Sequence, residues 1–123
     1  MKLLTQMFIF ALLCHSSYSQ IFKYVSDRYF IKNSSNEIIE QAVTTHLITF
    51  NYVLNIVTVK DNNNNILNYE ITDVYTKDID GISTIYINIS SEVFKFVMIN
   101  DNMIALCNPD NKTIAFLDYH LLE

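Results

Sequence analysis

Apolar and polar positions alternate with a period of two over most of this chain. The run HLITFNYVLNIVTVK from His46 places Ile48, Phe50, Tyr52, Leu54 and Ile56 on one side and Thr49, Asn51, Val53, Asn55 and Val57 on the other. Side chains of an extended chain point to opposite faces in turn, so the pattern predicts a strand whose wetter face is marked by Asn51 and Asn55. A second run, ILNYEITDVYT, sets Leu67, Tyr69 and Ile71 against Asn68, Glu70 and Thr72. Between the two runs lies Asp61-Asn62-Asn63-Asn64-Asn65, a reversal built of residues that tolerate left-handed backbone angles. Asp78-Ile79-Asp80-Gly81 predicts the next turn, with Gly81 as its positive-φ residue. ISTIYINI then turns Ile85, Ile87 and Ile89 inward and Thr84, Tyr86 and Asn88 outward, and VFKFVMI groups Phe94, Phe96 and Met98 opposite Lys95. Turns at Asn100-Asp101-Asn102 and Asn108-Pro109-Asp110-Asn111 lead into the strands MIALC and KTIAFLDY.

Ahead of His46 the spacing changes. Ile21, Phe22, Val25, Tyr29 and Phe30 recur at helical intervals, which predicts a short amphipathic helix, with a strand as the alternative. A second short helix is expected over residues 36–44. Ser34 or Ser35 would cap it, with Ile38, Ile39, Ala42 and Val43 inside and Glu37 near its positive end. The expected fold is mainly β, with α+β open: an antiparallel meander of about six strands preceded by one or two short helices. Such a sheet must bury a face, either by curling on itself or under those helices.

The first residues carry a different pattern. Met1-Lys2, an apolar stretch from Met7 to Cys14 and the small-x-small end Ser17-Tyr18-Ser19 have the three parts of a secretory signal. The apolar stretch is too short for a bilayer span, which needs ~20 residues. The expected organisation is therefore a signal at 1–19 and a single small secreted, extracellular β-rich domain at 20–123. Asn33-Ser34-Ser35, Asn88-Ile89-Ser90 and Asn111-Lys112-Thr113 are acceptor triplets, so Asn33, Asn88 and Asn111 become candidates for N-glycosylation. Cleavage after Ser19 removes Cys14 and leaves Cys107 alone, so the mature domain has no intrachain disulfide. Three readings of Cys107 stay open: a buried thiol, an intermolecular disulfide, or a catalytic thiol without a nearby base in sequence.

Charge narrows the partners. The chain has 13 acidic and 8 basic residues and a net charge of −5, which disfavours nucleic acid and anionic membrane surfaces. His46 and His120 are the histidines beyond the signal, and no further ligand spacing supports a metal. Asp78-Ile79-Asp80-Gly81 fails the calcium-loop pattern because Ser83 and Ile85 follow where oxygen ligands belong. No motif identifies catalytic, cofactor-binding or metal residues. The surplus of Asn and Ile reads as compositional bias. Tyrosines are abundant and Trp is absent; β-propensity accounts for most of them, while an outward share, such as Tyr86 beside Thr84, suits a protein-binding surface.

The stretch Phe94 to Tyr119, FKFVMINDNMIALCNPDNKTIAFLDY, resembles the late strands of a lipocalin or related calycin barrel: a strand, an acidic turn, a strand ending in Cys, and a further turn and strand. Asn100-Asp101 stands where that family has Thr-Asp-Tyr, and Cys107 where it has a strand-end cysteine. The Gly-x-Trp motif, the basic residue at the barrel base and the disulfide partner are missing. The resemblance implies carriage of a small apolar ligand, lined by Tyr52, Leu54, Tyr69, Phe94, Phe96 and Met98. Large inward residues in so short a chain favour filling the interior instead. The leading expectation is a non-catalytic binding protein that acts through a sheet surface on another extracellular protein or on a second copy of itself. The carrier, and a small extracellular enzyme or inhibitor without a motif, are the alternatives.

Overall fold

The computed structural model describes residues 20–122, and the expected signal at 1–19 lies outside them. Eleven strands form one antiparallel sheet: β1 (Ile21–Ser26), β2 (Arg28–Asn33), β3 (Ile38–Ala42), β4 (His46–Asn51), β5 (Ile56–Asp61), β6 (Ile66–Ile79), β7 (Ile82–Ser90), β8 (Phe96–Ile99), β9 (Met103–Cys107), β10 (Lys112–Leu117) and β11 (His120–Leu121). Their order across the sheet is β11-β1-β4-β5-β6-β7-β8-β9-β10-β2-β3. From β4 to β10 neighbours in sequence are neighbours in space, as short reversals require. The described residues contain no helix, so both expected N-terminal helices and the count of about six strands are corrected.

The N-terminal error has a physical cause. β1 and β2 are one run of chain broken at Asp27, yet β1 pairs with β4 and β2 pairs with β10, at opposite ends of the ladder. Ser26 is fully buried at that break, and its hydroxyl reaches the carbonyl oxygens of Arg28 at 3.0 Å and Leu117 at 2.6 Å. Inward positions are Tyr24 and Ser26 before the break and Tyr29 and Ile31 after it. That slip of one residue inserts a step of three into a period of two, which imitates helical spacing. The second expected helix is the exposed edge strand β3, which returns from β2 with a bulge at Ile39. A bulge on an edge strand limits unspecific pairing.

The sheet curls around one core without the ladder closing, so no barrel is formed and the lipocalin expectation is corrected. Tyr24, Ile48, Phe50, Val57, Val59, Ile71, Ile85, Ile87, Ile89, Phe94, Val97, Ile99, Ile104, Leu106, Phe116 and Tyr119 pack as a single cluster drawn from both halves of the sheet. Tyr24 sits edge-on between Phe50 (5.8 Å) and Tyr119 (5.6 Å), a favoured aromatic geometry.

Short polar side chains begin most of the reversals. The Asn33 side-chain oxygen accepts from the backbone N–H groups of Ser35 and Glu37 (both 3.0 Å), and Asp61 does the same for Asn63 and Asn65 (both 2.9 Å). Asn51 accepts from Val53 and Leu54, Asn100 from Asn102 and Met103, Asn108 from Asp110, and the Ser91 hydroxyl from Val93 and Phe94. Asn36, Asn55 and Asn64 then take the positive-φ positions. The remaining hairpin turns on Asp80-Gly81, both at positive φ, the arrangement whose twist suits a two-residue connection. Gly81 is as expected, at φ 79°.

The expected strand from His46 to Lys60 is thus two strands. Asn51 and Asn55 do not mark a wet face; they make the turn Tyr52–Asn55, after which Val57 (fully buried), not Ile56, faces inward. Replacing Asn51 by Ala should lower stability by about 1 kcal/mol through loss of two turn hydrogen bonds. Asn55→Val, which forces a β-branched residue to φ 57°, should cost about 1–2 kcal/mol, whereas Asn55→Gly should be neutral or stabilising. Urea midpoints check this order, and equal effects of Val and Gly at 55 would contradict it.

Candidate functional site

Register rows show that the outer face of the sheet has two characters. Over β1, β4, β5 and β6 the central outward row is Lys23, Thr49, Thr58 and Asn68, in which the Thr58 hydroxyl bonds Asn68 at 2.8 Å. The flanking rows mix apolar and polar residues: Ile21, Asn51, Ile56 and Glu70 on one side, Val25, Leu47, Lys60 and Ile66 on the other. Over the other half the outward row is Tyr75, Tyr86, Met98, Ala105, Ala115 and Phe30, crossing β6, β7, β8, β9, β10 and β2. Phe96 opposite Cys107 adds to it on the next row. Tyr75 and Tyr86 stack with centroids 5.4 Å apart, and Tyr86 tilts onto Phe96 at 5.7 Å. The ammonium of Lys77 lies 5.5 Å from the centre of the Tyr86 ring and that of Lys32 5.4 Å from Phe30, within cation–π range. Ala105, Cys107 and Ala115 are buried beneath Phe30, Phe96, Met98 and Met103. At the β2–β3 end the tract runs into a shallow hollow of about 460 Å³, bordered by Arg28, Phe30, Ile38, Gln41, Val43 and Leu117.

Two displacements create this tract. Thr72 is an extra residue in β6, so the alternation flips there and Tyr75 is carried outward while Val74 pairs with Ile87 on the core side. The same bulge puts Glu70 and Asp73 on one face, where unbroken alternation separates them. A slip at Lys95, between the Ser91 turn and β8, acts in the same way: Phe94 is 3 % exposed and Val97 fully buried, a step of three, while Phe96 and Met98 face out.

A second feature lies on the inner side. A cleft of about 210 Å³ opens between β2, β3 and β10 and the facing ends of β4, β5 and β6. Tyr29, Ile31, Glu40, His46, Val59, Asp61, Asn65, Leu67, Leu106, Ile114 and Phe116 line it. The His46 ring is held between Tyr29 (5.3 Å) and Phe116 (4.9 Å). The Tyr29 hydroxyl donates to the Glu40 carboxylate, and that bond raises the Tyr29 pKa. The Asn65 side chain and backbone N–H hold the Asp61 carboxyl below its ordinary range, with nearby His46 adding a smaller pull.

The residues singled out by sequence fall in several places. Tyr69 and Phe94 meet edge-on at 6.1 Å, and Tyr52 stacks on Phe50 at 6.2 Å. Leu54 is 65 % exposed in the β4–β5 turn, and Phe96 and Met98 are on the opposite face, so the six expected lining residues do not surround a common cavity. His46 is in the cleft and His120 is exposed on β11, with β1 between their strands. Among the described residues no group of His, Cys, Asp and Glu is arranged to hold a metal. Asn33 organises the β2–β3 turn, Asn88 faces outward between Asp73 and Phe96, and Asn111 is exposed after the Pro109-Asp110 turn. Among the described residues no helix is long and apolar enough to cross a membrane. Compared with known proteins, the chain matches no family model, no curated protein and no solved structure.

Cys107 is 6 % exposed, and burial pushes its thiol up to about 11. Burial raises the phenols of Tyr24 and Tyr52 as well. Folding favours the protonated form of each group, so this stabilisation is complete below the unfolded pKa, 9.0 for the thiol, and is lost as pH rises through the folded value. Urea midpoints should be level between pH 7 and pH 9 and fall from there toward pH 11, with a shallower fall in Cys107→Ala. A midpoint unchanged up to pH 11 would contradict the burial of these groups.

Proposed function

We propose that this is an extracellular binding protein that docks another protein on the outer face of β6 to β10 and β2. One observation carries the reading: the outward row of Tyr75, Tyr86, Met98, Ala105, Ala115 and Phe30 runs across six strands without a charged side chain, while every outward row over β1, β4, β5 and β6 is broken by polar or charged residues. The inner face already has its core, so hydrophobic side chains on the outer face are not needed to fold the sheet. An antiparallel sheet with one solvated face normally alternates polar-out. A contiguous apolar tract rimmed by charge marks an interaction site, and tyrosine, phenylalanine and methionine are the residues enriched in interface centres. Lys32 and Lys77 border the tract and Asp73 lies beside Tyr75, so its rim carries both signs of charge, which fits a partner with an apolar centre and mixed polar margins. Extracellular placement rests on the signal-like residues 1–19 and the acceptor triplets.

The test is site-specific photocrosslinking. p-Benzoylphenylalanine is placed at Tyr86, Phe96 or Phe30, and at Thr58 on the polar half, and the protein is exposed to the medium in which it is secreted. The three tract positions should give one adduct of common mass and Thr58 none. An adduct equal to two chains would identify the partner as a second copy. Adducts from Thr58 alone, or different adducts from each tract position, would overturn the proposal.

A further inference from the structure

The inner cleft has a chemistry that the outer tract does not use. Its floor is apolar, made by Ile31, Val59, Leu106 and Ile114, and its walls are the rings of Tyr29, His46 and Phe116. Glu40 and Asp61 stand at its polar side, and no lysine or arginine lines it. His46 is the one basic group there, so the carboxylates outnumber it even when the imidazole is protonated. The two acids are held in place. Tyr29 fixes Glu40, and the β5–β6 turn fixes Asp61 through the N–H groups of Asn63 and Asn65 and the Asn65 amide. None of those donors carries a charge, so the negative charge of the cleft is left without a full counter-ion. Leu67 is 50 % exposed at the same opening, which adds an apolar lip to the acidic one.

Size sets the ligand. An apolar cavity of about 150 Å³ holds benzene, while pockets for drug-sized molecules start at about 300 Å³. At about 210 Å³ the cleft takes one ring or a short alkyl chain with a single polar head. Glu40 is exposed and Asp61 half-buried at the mouth, so their pull on a cation is modest and screened by solvent, and contact of its stem with the floor supplies the rest of the affinity.

We propose that the cleft binds a primary ammonium on a short apolar stem, with the stem on Val59, Leu106 and Ile114 between the aromatic walls and the ammonium at Glu40 and Asp61. A free arylalkylamine and a lysine side chain of another protein present the same chemistry. The assignment stands apart from the outer tract, which lies on the opposite face of the sheet.

Phenethylamine, 2-phenylethanol and phenylacetate are titrated into the secreted protein and followed by amide chemical shifts at Glu40, His46 and Asp61. The amine should saturate, the alcohol should bind about tenfold more weakly, as loss of a modest ion pair predicts, and phenylacetate should not bind. Glu40→Gln combined with Asp61→Asn should reduce the amine to the level of the alcohol. Asn at 61 keeps the side-chain oxygen that the turn needs, so the fold survives. Asp118→Asn, which removes the acid paired with Arg28, should change nothing. Equal binding of amine and alcohol, no saturation by the amine, or amine binding that survives the double substitution overturns the proposal. An acetylated pentapeptide centred on lysine, set against its Nε-acetyl form, separates the sources. Tighter binding than phenethylamine, lost on Nε-acetylation, assigns a protein lysine; weaker binding assigns a free amine.

Discussion

Hydrogen bonds from backbone N–H groups to short side chains at the start of most reversals govern this structure. Asn33, Asn51, Asp61, Ser91, Asn100 and Asn108 each terminate a strand by satisfying donors that the ladder leaves behind. Because side chains in a strand alternate, a turn that begins one residue early moves every later side chain to the other face. The caps therefore do more than reverse the chain. They decide that Val57 and Val59 enter the core and that Phe94 joins them, and the slip at Lys95 then leaves Phe96 and Met98 outside. Half of the asparagines, read from sequence as bias, are these caps and the positive-φ residues that follow them: Asn33, Asn51, Asn100 and Asn108, with Asn36, Asn55 and Asn64.

What could be read in advance follows from the same physics. β7 was legible because nothing interrupts it: Ile85, Ile87 and Ile89 are buried as their alternation says, and the Asp80-Gly81 and Asp61–Asn65 turns carry residues with a strong left-handed preference. Reading failed where alternation slips. The break at Asp27, the bulge at Thr72 and the slip at Lys95 each add one residue, and a slip inside an apolar run looks either like a helix or like continued alternation. The one available cue was a polar acceptor followed three or four residues later by asparagine, as in Asn33 to Asn36, Asn51 to Asn55 and Asp61 to Asn64. The outer tract was glimpsed only at Tyr86, since its row joins six strands and exists only once their registers are set. The cleft was not legible at all: Glu40, His46 and Asp61 come together through pairing of β2 with β10 and of β4 with β5.

The two surfaces follow from how the sheet is held. Burying Ser26 lets one run of chain serve both ends of the ladder, so the sheet curls far enough to fill its interior but stops short of closure. Filling leaves no central space for the apolar cargo of a barrel, and the incomplete closure leaves the acidic cleft where β3 and β6 approach without pairing. The outer face, relieved of any part in the main core, carries aromatic and methionine side chains over small ones. One architecture thus yields an apolar face with a charged rim outside and a small acidic cleft inside.

The claim that turns and single-residue slips set the phase is tested most directly by carbene footprinting of the intact protein, read residue by residue through β7 and β8. Labelling of Tyr86, Phe96 and Met98 with protection of Ile87, Phe94 and Val97 is the predicted result. Protection of Phe94, Phe96 and Met98 together, as unbroken alternation from Val93 to Ile99 would require, would contradict the account.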